Sequence, residues 1–179
     1  MSTATLEALA NQEDIKAIRE LILQDVNIPF IVDQMKNISS GLMGLMNNDT
    51  PTLDLSQHSV TEANRWISQL QARRDNITNY VLILESYDET LENLWIKATN
   101  MTLIQPSIEG LRSNDQRLAY INQLYEPLSE ARRSLSVLRK KVDIVSENIQ
   151  NSFNAMQQQQ RNLQLVAEPR SVQKANSYQ

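Results

Sequence analysis

The sequence predicts an all-α protein: a long antiparallel helical hairpin, coiled-coil-like, with two shorter N-terminal helices packed on or near it. Three observations lead there. Only three glycines and five prolines interrupt 179 residues, whereas β folds use both residue types at every corner. Apolar residues recur at helical spacing along most of the chain. In the second half that spacing becomes a sustained heptad repeat, the signature of helices that lie along one another. The expected organisation is a helical pair over 1–47, a linker over 48–57, the hairpin over 58–168 and a flexible polar tail over 169–179.

The first helix is expected from Leu6 to Val26, because Leu6, Leu9, Ala10, Ile15, Ile18, Leu21 and Ile22 form one stripe. Thr3 or Thr5 can cap its start. Asn27-Ile28-Pro29 breaks it, since proline restricts the residue before it and fits only the first turn of a new helix. A second helix should then run from about Pro29 to Met46, with Ile31, Met35, Ile38, Leu42 and Leu45 on one face. Its last turns carry Gly41, Met43, Gly44 and Met46. They read as ordinary core with close helix approach, or as a pliable docking surface, because thioethers repack readily.

After a polar loop from Asn47 to Gln57, Ser59-Val60-Thr61-Glu62 spells a capping box: the serine oxygen accepts a backbone amide and the glutamate reaches back. The third helix follows. Its a positions are Ala63, Leu70, Ile77, Leu84, Leu91 and Ala98, and its d positions Trp66, Arg73, Tyr80, Tyr87, Leu94 and Met101. Ile67, Val81 and Trp95 widen the stripe beyond what one partner helix covers. Gln105-Pro106-Ser107 and Glu109-Gly110 should end the helix and form the connection.

Ser113-Asn114-Asp115 supplies a cap and early negative charge for the fourth helix. Its a positions are Ile121, Leu128, Leu135, Val142, Ile149, Met156 and Leu163; its d positions are Leu124, Ala131, Leu138, Val145, Ser152 and Gln159. At 1.5 Å per residue this seam is roughly 60 Å long. Pro127 is expected to kink the helix near its start, at about 3 kcal/mol unless packing compensates. The seam turns polar at Ser152 and Gln159, and Gln157 to Gln160 read as solvent-facing helix.

Chemistry is hard to place on this chain. It contains no cysteine, which removes disulfides, thiolate zinc sites and thiol catalysis. The one histidine, His58, falls in a loop without an orienting partner for base catalysis or co-ligands for a metal. Phosphate-binding glycine loops and Gly-x-Ser-x-Gly elbows are absent. Glu85, Asp88, Glu89 and Glu92 lie at helical spacing, but without the histidines of a di-iron site they read as a solvated face or as partners for a basic face. The expectation is a protein that is not an enzyme, with no cofactor, no metal and no small-molecule substrate.

Charge divides the chain. Residues 111–179 carry ten Lys/Arg against six Asp/Glu, and residues 1–110 seven against fifteen. Such a split suits two arms, or two copies, that attract each other. It also concentrates Arg132, Arg133, Arg139, Lys140 and Lys141 on the fourth helix, where they could follow a phosphate backbone. Aromatic platforms are scarce there, Phe153 being the sole candidate. Residues 1–9 lack the basic start and apolar run of a signal peptide, and no stretch approaches the roughly 20 apolar residues of a membrane span. Soluble, cytoplasmic residence is expected, with no membrane partner.

The run Leu111-Arg112-Ser113-Asn114-Asp115-Gln116-Arg117-Leu118-Ala119-Tyr120, followed by Glu130-Ala131-Arg132-Arg133, resembles small helical proteins of tailed bacteriophages. In those, a helix of the Tyr87-Asp88-x-x-Leu91 kind precedes a short polar connection and a second helix opening on such a run. The resemblance covers about residues 60–165. It implies either a self-assembling virion or assembly component, in the host cytoplasm or in a particle built there, or an accessory of phage DNA metabolism that holds single strands and recruits a recombinase.

The leading expectation is a self-associating structural protein, a homo-oligomer working through helical packing. Its packing residues would be Trp66, Leu70, Ile77, Leu84, Leu91, Trp95, Leu128, Leu135, Leu138, Val142 and Ile149. The alternatives are nucleic-acid binding through Arg132 to Lys141 and an adaptor or inhibitor that docks a host protein through the first two helices.

Overall fold

In a computed structural model the described residues are 12–46, 53, 59–111 and 113–176, with side chains through Val166 apart from Ser107. They form five α-helices and one short 3-10 turn, and no strand: α1 (Glu13–Gln24), α2 (Ile28–Met46), α3 (Val60–Leu103), the turn Pro106–Ile108, α4 (Asn114–Leu124) and α5 (Glu126–Asn176). The all-α class follows directly from the scarcity of turn residues and the helical spacing of apolar ones. The Thr3 and Thr5 caps, the first apolar positions of the stripe, most of the 47–57 loop and His58 lie outside the described residues.

Three helix starts, those of α2, α3 and α4, sit where short polar side chains satisfy the free amides of a first turn. Ser59 and Glu62 form the expected box: the Ser59 amide donates to the Glu62 carboxylate at 2.8 Å, and the Glu62 amide to Ser59 Oγ at 3.3 Å. Ser113 Oγ accepts the Gln116 amide at 3.2 Å at the head of α4. Asn27 Oδ1 accepts the Phe30 amide at 3.0 Å at the head of α2.

Two expectations about the last helix need correction. Instead of one helix kinked at Pro127, the chain breaks at Tyr125, which has left the helical region at φ −109°, ψ 41°. Pro127 is thereby the second residue of α5, in a first turn where its missing amide has no intrahelical acceptor to lose. The break frees the Leu124 carbonyl, and Arg19 Nε of α1 donates to it at 2.9 Å. At the other end, α5 continues through Pro169 to Asn176, beyond the expected stop at 168. A single proline removes one amide donor, and the backbone resumes its helical course after it.

Two compact units result: Met1–Ile38 with Leu82–Arg139, and Ser39–Val81 with Lys140–Gln179. Their boundaries fall inside α2, α3 and α5.

In the first unit the buried side chains are Ile15 and Ile22 of α1, Ile28, Ile31, Met35 and Ile38 of α2, and Leu84, Leu91, Leu94 and Ala98 of α3. The connection adds Ile108 and Leu111, and α4 and α5 add Ile121, Leu124, Leu128, Ala131, Leu135 and Leu138. Tyr120 and Tyr125 are both fully enclosed. The Tyr125 hydroxyl is 2.9 Å from Thr102 Oγ1, itself buried. The Tyr120 hydroxyl and Thr99 Oγ1 have no hydrogen-bond partner among the described residues.

In the second unit Leu53, Ala63, Leu70, Phe153, Met156 and Leu163 form one apolar cluster, flanked by Val60, Trp66 and Ile67. Here the register differs from expectation. Ser152 is only half-buried, and its neighbour Phe153 fills the core in its place. Gln159 is the other polar seam position, and its Oε1 accepts the Leu53 amide at 2.9 Å. The glutamine run is therefore not simply solvent-facing, since Gln160 also bonds Asn64. Gly41 of α2 lies against the ring of Tyr80; a Cβ there would collide with the hydroxyl and sit 3.1 Å from Cζ. Gly44 faces open space.

Candidate functional site

The features that could act on a partner are the charged faces of α3 and α5, the clefts, and the apolar side chains left outside. Heptad spacing positions the first of these. With Leu84 and Leu91 turned inward on α3, residues 85, 88, 89 and 92 fall on or beside the outer surface; Leu128, Leu135 and Leu138 do the same for the arginines of α5.

In the first unit the opposed charges meet. Asp88 pairs with Arg139, and Glu92 with Arg132. The Arg132 guanidinium also lies over the Trp95 ring, 4.8 Å from its centre, an arrangement that adds cation–π attraction to the ion pair. Lys97 pairs with Asp25. Two of the four carboxylates considered as a cation site thus hold arginines, and among the described residues no group of three His, Cys, Asp or Glu is close enough to hold a metal.

Of the five basic residues proposed for nucleic acid, Arg132 and Arg139 are engaged in these pairs. Arg133, Lys140 and Lys141 are exposed on α5. Phe153 cannot offer a stacking face, because it is buried in the second unit with Arg74 over its ring at 4.6 Å. The residues assigned to packing divide by burial: Leu70, Ile77, Leu84, Leu91, Leu128, Leu135, Leu138, Val142 and Ile149 are buried within the chain, and Trp66 and Trp95 partly so.

Among the described residues, clefts open to solvent include one in each unit. The second unit has one of about 140 Å³ lined by Leu45, Met46, Val145, Asn148, Ile149 and Ser152, below the roughly 300 Å³ at which ligand pockets begin. The first unit has a wider one walled by Asn122, Gln123, Glu126, Ser129, Glu130 and Arg133. Its lining residues are all polar or charged, unlike the mostly apolar linings of small-molecule pockets.

Several contacts were invisible to spacing. Arg19 as a closure for Leu124, Tyr125 with Thr102, and Arg74 over Phe153 all join residues far apart in sequence or on different helices. Asn27 as a cap was readable, since it precedes Ile28-Pro29 and caps are the usual place for asparagine. No described helix is long and apolar enough to cross a membrane. Compared with known protein families, characterised proteins and solved structures, the chain matches none.

Proposed function

We propose that this protein is a non-catalytic, self-associating structural or assembly component whose working surface is the outside of a long antiparallel helical hairpin. In this reading α3 is one arm, α4 and α5 the other, and α1 and α2 pack beside them. The observation that carries it is the pairing of Asp88 with Arg139 and Glu92 with Arg132. Within the first unit the higher-numbered member on α3 meets the lower-numbered one on α5, as antiparallel arms require. Within the second unit, Asn64 with Gln160 and Arg74 with Phe153 follow the same order.

Those pairs also engage Arg132 and Arg139, two of the five basic residues that could recruit a polyanion. By its resemblance to helical phage proteins, the assembly is a virion part or a scaffold for one, formed in the host cytoplasm. Light scattering with sedimentation equilibrium tests this. The expected result is a mass that rises with concentration to a defined oligomer; a monomer at every concentration to the millimolar range overturns it.

A second reading, accessory binding of single-stranded nucleic acid, is favoured by the exposure of Arg133, Lys140 and Lys141. It requires salt-sensitive binding that weakens when these three become glutamine. Absence of binding at low salt removes it.

A further inference from the structure

The outer face of α3 in the first unit carries a second heptad series, independent of the buried one. Leu82, Glu89, Ile96 and Leu103 repeat every seventh residue on the side away from Leu84 and Leu91, and Ile83 and Ile104 lie beside its two ends. The apolar members are open: Leu82 is 58% exposed, Ile96 48% and Ile104 77%. Between them run Ser86, Asn93 and Asn100, all exposed and uncharged. A solvated helix face normally carries charge at such positions, and an apolar series at heptad spacing is what a helix presents to another helix.

The series is also self-complementary. Its apolar residues sit at both ends, its acid (Glu89) on one side of the middle and Lys97 on the other. A second α3 turned end for end about an axis at Asn93 sets Leu82 and Ile83 of one copy against Leu103 and Ile104 of the other. The same rotation brings each Glu89 toward the other copy's Lys97. A two-fold interface demands this property, because one surface must fit its own inverted image. A parallel arrangement instead places Glu89 on Glu89 and Lys97 on Lys97.

We propose that this face of α3 is the site at which two copies of the chain associate, antiparallel and two-fold symmetric. The inference rests on the reading of the protein as self-associating and names the surface responsible.

Ile96→Gln combined with Leu103→Gln alters only exposed positions, so helicity and melting should be preserved while dimerisation weakens by about tenfold or more. Glu89→Lys and Lys97→Glu should each weaken it, and the two together should restore it. Lys97→Glu also removes the internal pair with Asp25, but that loss is common to free and associated chains.

Three results overturn the inference, each differently. A wild-type chain that stays monomeric removes the self-associating reading and this face with it. Association unaffected by the glutamine substitutions removes this face and leaves self-association standing. A reversed-charge pair that fails to recover removes the antiparallel arrangement.

Discussion

The two units solve one problem, fixing the register of α3 against α5, with different chemistry. In the first, charge does it: Asp88 and Glu92 reach Arg139 and Arg132, and a buried hydroxyl pair, Tyr125 with Thr102, adds a directional contact inside the core. In the second, contacts other than ion pairs do it: Asn64 bonds Gln160 and the ring of Phe153 lies under the Arg74 guanidinium, while Gln159 accepts the amide of Leu53 ahead of α3. Apolar heptads alone allow slippage by whole repeats, and polar contacts at single positions make the slipped registers costly. The contrast shows that such specificity needs no particular chemistry, only a partner at a defined level.

The largest effects should come from the cores. Leu135→Ala in the first unit and Met156→Ala in the second, both fully buried, should each cost about 2–5 kcal/mol in urea unfolding. Each unit holds one tryptophan, Trp95 in the first and Trp66 in the second, so single-tryptophan variants report on them separately. Because α2, α3 and α5 run from one unit into the other without interruption, both probes should give one midpoint. Two separated midpoints would show that the units unfold independently.

The buried tyrosines come next. Tyr125→Phe strands the Thr102 hydroxyl and should cost about 1–3 kcal/mol, whereas Tyr120→Phe removes a hydroxyl without a described partner and should cost little or nothing. Burial, with Tyr125 and Asp14 nearby, pushes the Tyr120 hydroxyl up to about 12, and burial raises Tyr125 as well. Stability should therefore hold up to about pH 10, the ordinary tyrosine value, and decline as pH rises toward 12. Over that interval the unfolded chain has lost the proton that the folded one keeps. Tyr120→Phe should shallow this decline, and an unchanged alkaline profile would contradict the assignment.

The glycines of α2 offer a smaller contrast within the second unit. Gly44→Ala, in open space, should stabilise by about 0.5–1 kcal/mol through helix propensity. Gly41→Ala gains the same propensity but drives its methyl into Tyr80, so its net effect should be destabilising by about 1 kcal/mol or more. Equal melting shifts for the two would mean that the Tyr80 ring gives way freely.

The smallest difference is in salt response. Glu92→Gln should cost under about 1 kcal/mol at low ionic strength and almost nothing at high salt, as half-exposed pairs do. Asn64→Ala, which removes a neutral contact, should cost a similar amount at any ionic strength. A salt-dependent Asn64→Ala would erase the distinction between the units.

Much of the helical frame was legible because it depends on local chemistry. Ser59 and Ser113 cap where their spacing to Glu62 and Gln116 says they should, and every a position from Ala63 to Leu163 is buried. The break at Tyr125 was legible only in part. Pro127 signals an interruption, but whether the helix bends or stops depends on what receives the freed carbonyl, and Arg19 lies 105 residues from Leu124. The charged faces of α3 and α5 were legible as complementary, while the particular pairs required the register. The exposed series of Leu82, Ile96 and Leu103 was present in the sequence but masked by the stronger buried repeat. Periodicity identifies a face, and only exposure tells which of two faces has been left uncovered.

The Arg19 contact also sets an order of events. During synthesis from the N-terminus, α1 emerges long before the carbonyl that Arg19 will close exists, so that closure cannot be among the first steps of folding. It must wait until Leu124 and the start of α5 have left the ribosome. Long-range closure of this kind slows folding more than it changes final stability. Arg19→Ala should reveal it as a delayed acquisition of amide protection at Tyr125 to Ser129 in pulse-labelled refolding.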